Sequence, residues 1–309
     1  MEIHFAFWIV FAIIFIAIFV IDMIYTSHHR GQINVKVALM WSAIWIAAGF
    51  SFAILIFLFF PNGQVKSYEY IASYLIEKSL SVDNLFVFLL IFNTMGIPNS
   101  SRPRILKWGI IGAVVLRILF ILSGVELIKS FNFMIYVFGF ILVYTAVKML
   151  LSKETKIKPD ENLFVKLIKR LLPVKTNAGT EYFFIVEGKK RYATLALITL
   201  VLVESTDVIF AVDSIPAVLA ITHDSFIAIT SNLFAILGLR SLFFALSGIL
   251  DLFHYLKYGI SFILLFIGIK MLLSWLIHIP VEITLIVIVA SLAISIFSSI
   301  VIKNEQMKK

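Results

Sequence analysis

Apolar residues fill this chain in long uninterrupted runs, and most of the charge sits in the short polar stretches between them. A helix of about 20 apolar residues matches a hydrocarbon core about 30 Å thick. On that measure nine spans are predicted near 5–24, 37–60, 71–93, 105–129, 132–151, 193–221, 225–250, 257–275 and 280–302. Strands of a membrane barrel would alternate apolar with polar positions, and these runs do not. The first run is read as a span and not a signal peptide, because Met1, Glu2, Ile3 and His4 form no basic lead and no small-residue cleavage site follows.

The longest polar interval, 152–192, has two parts. Residues 161–172 set Leu163, Phe164, Leu167, Ile168, Leu171 and Leu172 against Lys166, Lys169 and Arg170. That is the pattern of a basic amphipathic helix on an anionic membrane surface; a plain solvated connector is the alternative. Residues 181–194 alternate around Glu187, Gly188 and Lys189, which predicts a small hairpin leading into the sixth span.

Composition agrees with the pattern: 61% of the 309 residues are hydrophobic and 14% charged, and the mean hydropathy is +1.04. A soluble domain carries about 25% charged residues, so that class is excluded. The net charge of +8 is read as an orientation signal and not as a nucleic-acid footprint. With the N-terminus outside, Lys and Arg gather in the cytoplasmic segments 25–36, 94–107, 152–192, 251–257 and 303–309, against Lys66 and Lys129 in the outer loops. The expectation is a multi-pass protein of the cell membrane, N-terminus out and C-terminus in. With no cysteine, thiolate metal sites and iron–sulfur clusters are excluded, and any metal must be held by oxygen or imidazole.

The chain also resembles itself. Gly139–Leu151, GFILVYTAVKMLL, lies over Ser261–Leu273, SFILLFIGIKMLL; Leu116-Arg117 matches Leu239-Arg240; and Glu77-x5-Asp83-Asn84 matches Asp207-x5-Asp213-Ser214. The unit is an acidic helix, an arginine helix and a K-M-L-L helix. Two copies of a three-span unit must enter the membrane from opposite sides, the inverted-repeat plan of secondary transporters. The predicted fold is therefore all-α and polytopic. It has two N-terminal helices in 1–60, a first repeat over 71–151, the loop 152–192, a second, inverted repeat over 193–275 and a last helix over 280–302.

Five acids lie within the spans away from their ends: Glu77, Asp83, Glu204, Asp207 and Asp213. Each costs about 2.5–3.5 kcal/mol to insert, so such residues face a bundle interior or a water-filled path. Glu204 and Asp207 share a helix face. A pseudo-two-fold axis is expected to bring Asp83 and Asp213 together, and Pro216 is expected to break the sixth span near Asp213–Pro216, freeing carbonyls for a cation. Asn84 and Ser214 add softer oxygen donors. Arg117 and Arg240 compete for the acids but leave carboxylates in excess. The competing reading makes Glu77, next to Lys78 near the outer boundary, a structural ion pair. Carboxylates and amides without thiols suit hard divalent cations such as Mg²⁺, Ca²⁺ and Mn²⁺. All six histidines lie at span ends or in loops. No nucleophile–base set marks an enzyme, and no cofactor is expected.

The segments EKSLSVDNLFVF (77–88), VESTDVIFAVDSIPAVLAIT (203–222) and SNLFAILGLRSLFF (231–244), with GKKRYAT (188–194) entering the sixth span, resemble the TerC family of integral membrane proteins. The resemblance implies membership of the wider LysE-like transporter group, in which several bacterial members are regarded as manganese exporters. It would make Glu77, Asp83, Asn84, Glu204, Asp207 and Asp213 the metal ligands, supported by Ser214, Asn232, Arg117 and Arg240. Exported Mn²⁺ is the expected substrate, with Ca²⁺ or another divalent ion the alternative and protons as coupling ion. Members are also linked to tellurite, calcium, alkaline pH and metal supply to exported proteins. Two readings of other classes stay open, a non-transporting scaffold that recruits partners through 152–192 and an anion or amino-acid exporter using the arginines. No G-x-x-x-x-G-K-[ST] motif offers nucleotide coupling.

Overall fold

A computed structural model describes residues 2–28, 35–151, 159–175, 180, 182–188, 190–246, 256–277 and 279–306. The helices are α1 (Glu2–His28), α2 (Val35–Phe59), α3 (Gly63–Thr94), α4 (Arg102–Ser130), α5 (Met134–Leu151), α6 (Leu163–Leu171), α7 (Leu195–Leu219), α8 (Ser225–Ile236), α9 (Leu239–Leu246), α10 (Leu256–Leu272) and α11 (Val281–Gln306). Eight of the nine predicted spans each overlie one helix, and the described part of the other, 225–246, falls on α8 and α9. By length and composition α1, α2, α4, α5, α7 and α11 qualify as membrane-crossing, and α8 with α9 would make a seventh. The charged residues Lys66, Glu69, Glu77, Lys78 and Asp83 fall in α3, and α10 has 17 residues. The chain folds as an all-α polytopic membrane protein. Residues 29–34, parts of the long polar interval at 152–158 and 176–179, and the end of the predicted seventh span with Ser247 and Gly248 lie outside the described residues.

Three local predictions meet the structure differently. The amphipathic helix and the hairpin are present: α6 starts at Asn162, whose side chain caps Phe164 and Val165, and β2 (Phe184–Glu187) pairs antiparallel with β3 (Lys190–Thr194). A short β1 (Val174–Lys175) joins β3 in parallel, an addition that its two residues did not announce. The break expected at Asp213–Pro216 is absent, and α7 runs through Pro216 to Leu219. Proline removes one donor, but it stands in the last turn, where Ser214 to Leu219 are all buried and packing holds the helical path.

The discontinuity falls in the next span, where α8 and α9 meet at a bend of 42°. Gly238 adopts φ +74°, a left-handed conformation that glycine takes without penalty. A Cβ there would also collide with the ring of Trp45 on α2. The described part of the predicted single span over 225–250, residues 225–246, is thus two helices, fixed by a glycine backbone and a tryptophan from elsewhere in the chain.

α8 is buried at every position from Phe226 to Ile236, the polar Thr230, Ser231 and Asn232 included. It packs on α3, while α4 packs on α7 and α5 on α10. The two K-M-L-L helices touch backbone to backbone: a Cβ on Gly139 would stand 3.0 Å from the Gly268 carbonyl oxygen, and one on Gly268 2.9 Å from that of Gly139. Small residues permit such close crossings in membranes. Gly268→Val is therefore expected to destabilise the fold by about 1–3 kcal/mol through overpacking. The check is a lowered melting midpoint in detergent, and an unchanged midpoint would show that the crossing has slack.

Candidate functional site

Four helices contribute to a charged cluster inside the bundle. Arg117 of α4 extends its guanidinium between two acids, with Nη1 donating to Glu77 Oε1 of α3 and Nη2 to Asp207 Oδ1 of α7 at 3.2 Å. Nη1 also donates to Asn232 Oδ1 of α8 at 3.2 Å and to Ser214 Oγ at 3.4 Å. Asn232 Nδ2 donates to Glu77 Oε2 at 3.0 Å, and Ser81 Oγ to Glu77 Oε1 at 3.2 Å. Spacing in the sequence explains who can take part. Asp207 and Ser214 are seven residues apart, two helical turns on one face of α7, and Glu77 and Ser81 are one turn apart.

Relative exposures of 0% for Glu77, 1% for Arg117, 6% for Asp207 and 0% for Asn232 remove bulk water from the balance. Two carboxylates against one guanidinium leave one negative charge when all are ionised. The local chemistry points the same way, because Asp207 Oδ2 is buried with no hydrogen-bond partner among the described residues. An unmet buried carboxylate oxygen is costly, and a proton or a cation there would relieve it.

Glu204 lies one turn before Asp207 and half-buried, its carboxylate against Gly112 of α4, where any Cβ would overlap it. It extends the acidic face of α7. The other predicted ligands are placed elsewhere. Asp213 accepts from Thr145 Oγ1 of α5 at 2.6 Å, with Lys148 acting on it electrostatically. Asp83 is influenced by Lys257 of α10, so the two repeat-related aspartates look to different helices. Asn84 is buried on α3. Among the described residues no three His, Asp or Glu side chains stand close enough to hold a metal ion together. Oxygen donors at the cluster are two carboxylates, an amide and two hydroxyls, with Arg117 seated among them.

Arg240 belongs to a second buried group. It donates to Met23 Sδ at 3.5 Å, and with Lys78 it acts electrostatically on Asp22 of α1. Asp22 was missed by the reading of the sequence, although an acid in the last turns of an apolar run was a sufficient signal. Lys78 does not pair with its neighbour Glu77. Its Nζ donates to the carbonyls of Ala235 at 3.0 Å and Leu237 at 2.9 Å, the open end of α8 at the break. Helix C-termini carry partial negative charge and unsatisfied carbonyls, and the ammonium meets both.

A cavity of about 770 Å³ opens at the end of the bundle where α3 and α11 begin. Lys66 bridges Glu69 at 2.9 Å and Asp224 at 3.7 Å, and Thr222 donates to Glu69 at 2.6 Å. Burial pushes the pKa of His223, which lines this cavity, below its ordinary value, against the opposing pull of Glu69. Lys270 Nζ donates to Thr284 Oγ1 at 2.9 Å.

A family model described as "Integral membrane protein TerC family" matches residues 62–307. An uncharacterised membrane protein of Myxococcus xanthus is 41% identical over 294 residues, 95% of this chain and 92% of its own. A Salmonella typhi protein named "Putative membrane-bound redox modulator Alx" is 39% identical over 98% of this chain and 96% of its own. The protein of that name in Escherichia coli K12 is 39% identical, covering 90% and 89%. No solved structure matches the chain.

Proposed function

Because the chain belongs to the TerC family of integral membrane proteins, we propose that it is a secondary transporter that exports a divalent metal cation, Mn²⁺ first among the candidates. The observation that carries this reading is the buried Glu77–Arg117–Asp207 cluster with its excess carboxylate. Buried ionisable groups in a spanning bundle mark ion paths, and carboxylate and amide oxygens suit a hard cation. Arg117 acts as a tethered counter-cation that the arriving ion displaces from Asp207, with Glu204 and the repeat-related Asp83 and Asp213 as stations on either side. Held by two carboxylates, Arg117 offers little to an anion, which favours the cation over the anion reading. The inverted repeats draw support from the pairing of α3 with α8, α4 with α7 and α5 with α10.

With the N-terminus outside and the C-terminus in the cytoplasm, export works against an inside-negative potential. That costs about 2.3 kcal/mol per charge per 100 mV, about 4.6 kcal/mol for a dication, so proton entry is the proposed coupling. The redox label carried by two relatives fits such a role indirectly. A chain without cysteine has no thiol to exchange, whereas moving a redox-active metal changes the chemistry of its compartment.

Proteoliposomes with a trapped manganese-sensitive dye and clamped potential test the reading. Wild-type flux is expected to follow an imposed proton gradient. Asp207→Asn is expected to be slower by at least about tenfold, the effect of one ligand worth about 1.4 kcal/mol. Flux indifferent to the proton gradient would overturn the coupling alone. Absence of Mn²⁺, Ca²⁺ and Mg²⁺ flux in the wild type would overturn transport of a divalent ion and favour the scaffold reading.

A further inference from the structure

The cavity at the end of the bundle and the Glu77–Arg117–Asp207 cluster share one face of α3. Glu69 lines the cavity and Glu77 belongs to the cluster, and the turns between them cover about 12 Å of rise and about 80° of rotation. Ser73 stands midway, about 6 Å and about 40° from each. The contacts at either end show which way this face looks. Thr222, just before α8, donates to Glu69, and Asn232 on α8 donates to Glu77, so the interval between them faces the first turns of α8. α7 runs the same course, because Ser214 accepts from Arg117 and Ile221, about two turns further on, lines the cavity.

Ser73 differs from the other serines of α3. Ser67 donates to the Ala53 carbonyl at 3.0 Å, Ser79 to that of Leu75 at 2.6 Å, and Ser81 to Glu77 at 3.2 Å. A serine inside a helix ordinarily satisfies its hydroxyl on the carbonyl four residues back, as Ser42, Ser51 and Ser123 do here. Ser73 is 0% exposed, yet its Oγ has no hydrogen-bond partner among the described residues. An unmet buried hydroxyl is costly. This one stands at the level that an ion must cross to pass between the cluster and the cavity.

Resting on the transport reading above, we propose that the cavity is the mouth by which the dication leaves the cluster, and that Ser73 lines the passage, its hydroxyl oxygen a ligand to the ion between Glu77 and Glu69. A hard cation takes oxygen ligands, and Ser73 supplies the one that neither carboxylate can reach. The passage is closed in this structure, with Glu77 and Ser73 both at 0% exposure. Lys66 bridges Glu69 and Asp224, which ties the start of α3 to the start of α8, and release of that bridge opens the mouth.

The absence of cysteine lets one position carry the only thiol. Full-length Ser73→Cys, Ala72→Cys and Val65→Cys in proteoliposomes are treated, on one side at a time, with a membrane-impermeant cationic methanethiosulfonate. Val65 lines the cavity and is 42% exposed, so it reports the side on which the cavity opens. Ala72 is 0% exposed at the same depth, about 100° around α3, and reports general loosening of the bundle. Position 73 is expected to react from the same side as position 65 and at least about tenfold faster than position 72, about 1.4 kcal/mol in barrier. Excess Mn²⁺ is expected to slow the reaction at 73 and not at 65. Equal reaction at 73 and 72, reaction at neither, or reaction at 73 only from the side opposite to 65 would overturn the inference, whatever the dye assay of flux shows. Reaction at 73 that Mn²⁺ leaves unchanged would overturn the ligand role. The expected labelling in a protein that moves no dication would overturn the transport reading and the ion assigned to the passage, while its course past Ser73 would stand.

Discussion

Arg117→Gln is expected to leave little folded protein, whereas Glu77→Gln folds and fails in transport. The asymmetry follows from charge. Removing the guanidinium leaves Glu77 and Asp207 buried at 0% and 6% exposure with no cation between them, and breaking a buried pair by removing one partner costs about 3–5 kcal/mol. Removing the Glu77 charge leaves Arg117 and Asp207 one to one. The new amide still accepts from Arg117, and its mismatch is confined to the contact with Asn232 Nδ2, a loss of about 1 kcal/mol. Thermal unfolding followed by size exclusion in detergent reads both variants. Equal melting midpoints would show that the cluster does not depend on its arginine for charge balance, and the counter-cation role proposed for Arg117 would fall with it.

The parts of this cluster that were legible in the sequence are those fixed along one helix. Seven-residue spacing places Asp207 and Ser214 on one face, and the self-match of the chain pairs Glu77 with Asp207 and Arg117 with Arg240. How helices face one another was not written in those spacings. Arg117 reaches both acids while Arg240 turns to Met23 and Asp22, although the two are equivalent in the repeat. Asp83 and Asp213 face α10 and α5 separately, because a side chain's direction around its helix sets its neighbour, and a symmetry argument about helices does not fix that direction.

Helix punctuation shows the same limit. Pro216 is the stronger breaker by propensity, yet the buried last turn of α7 carries it. Gly238 stands in an apolar run where glycine is unremarkable among small residues of membrane helices. What makes it a break is Trp45, nearly two hundred residues earlier, lying where a Cβ would go, together with Lys78 waiting for the released carbonyls. Local sequence records that a backbone can bend; packing decides that it does.

That shared dependence makes a pair of substitutions informative. Gly238→Ala is expected to cost about 1–2 kcal/mol for a left-handed backbone and about 1–3 kcal/mol for crowding Trp45. Lys78→Met leaves the buried carbonyls of Ala235 and Leu237 without their donor, at about 1–3 kcal/mol each, while Lys78→Arg keeps a donor and loses less. If Lys78 and Gly238 stabilise one element, the double variant Lys78→Met/Gly238→Ala is expected to lose less than the two single losses together, since a break already disordered by one change has less for the other to remove. Strict additivity in melting midpoints would mean that Lys78 does not act through the break. In that case the ammonium would serve Asp22 alongside Arg240, and the bend in α8–α9 would rest on Gly238 and Trp45 alone.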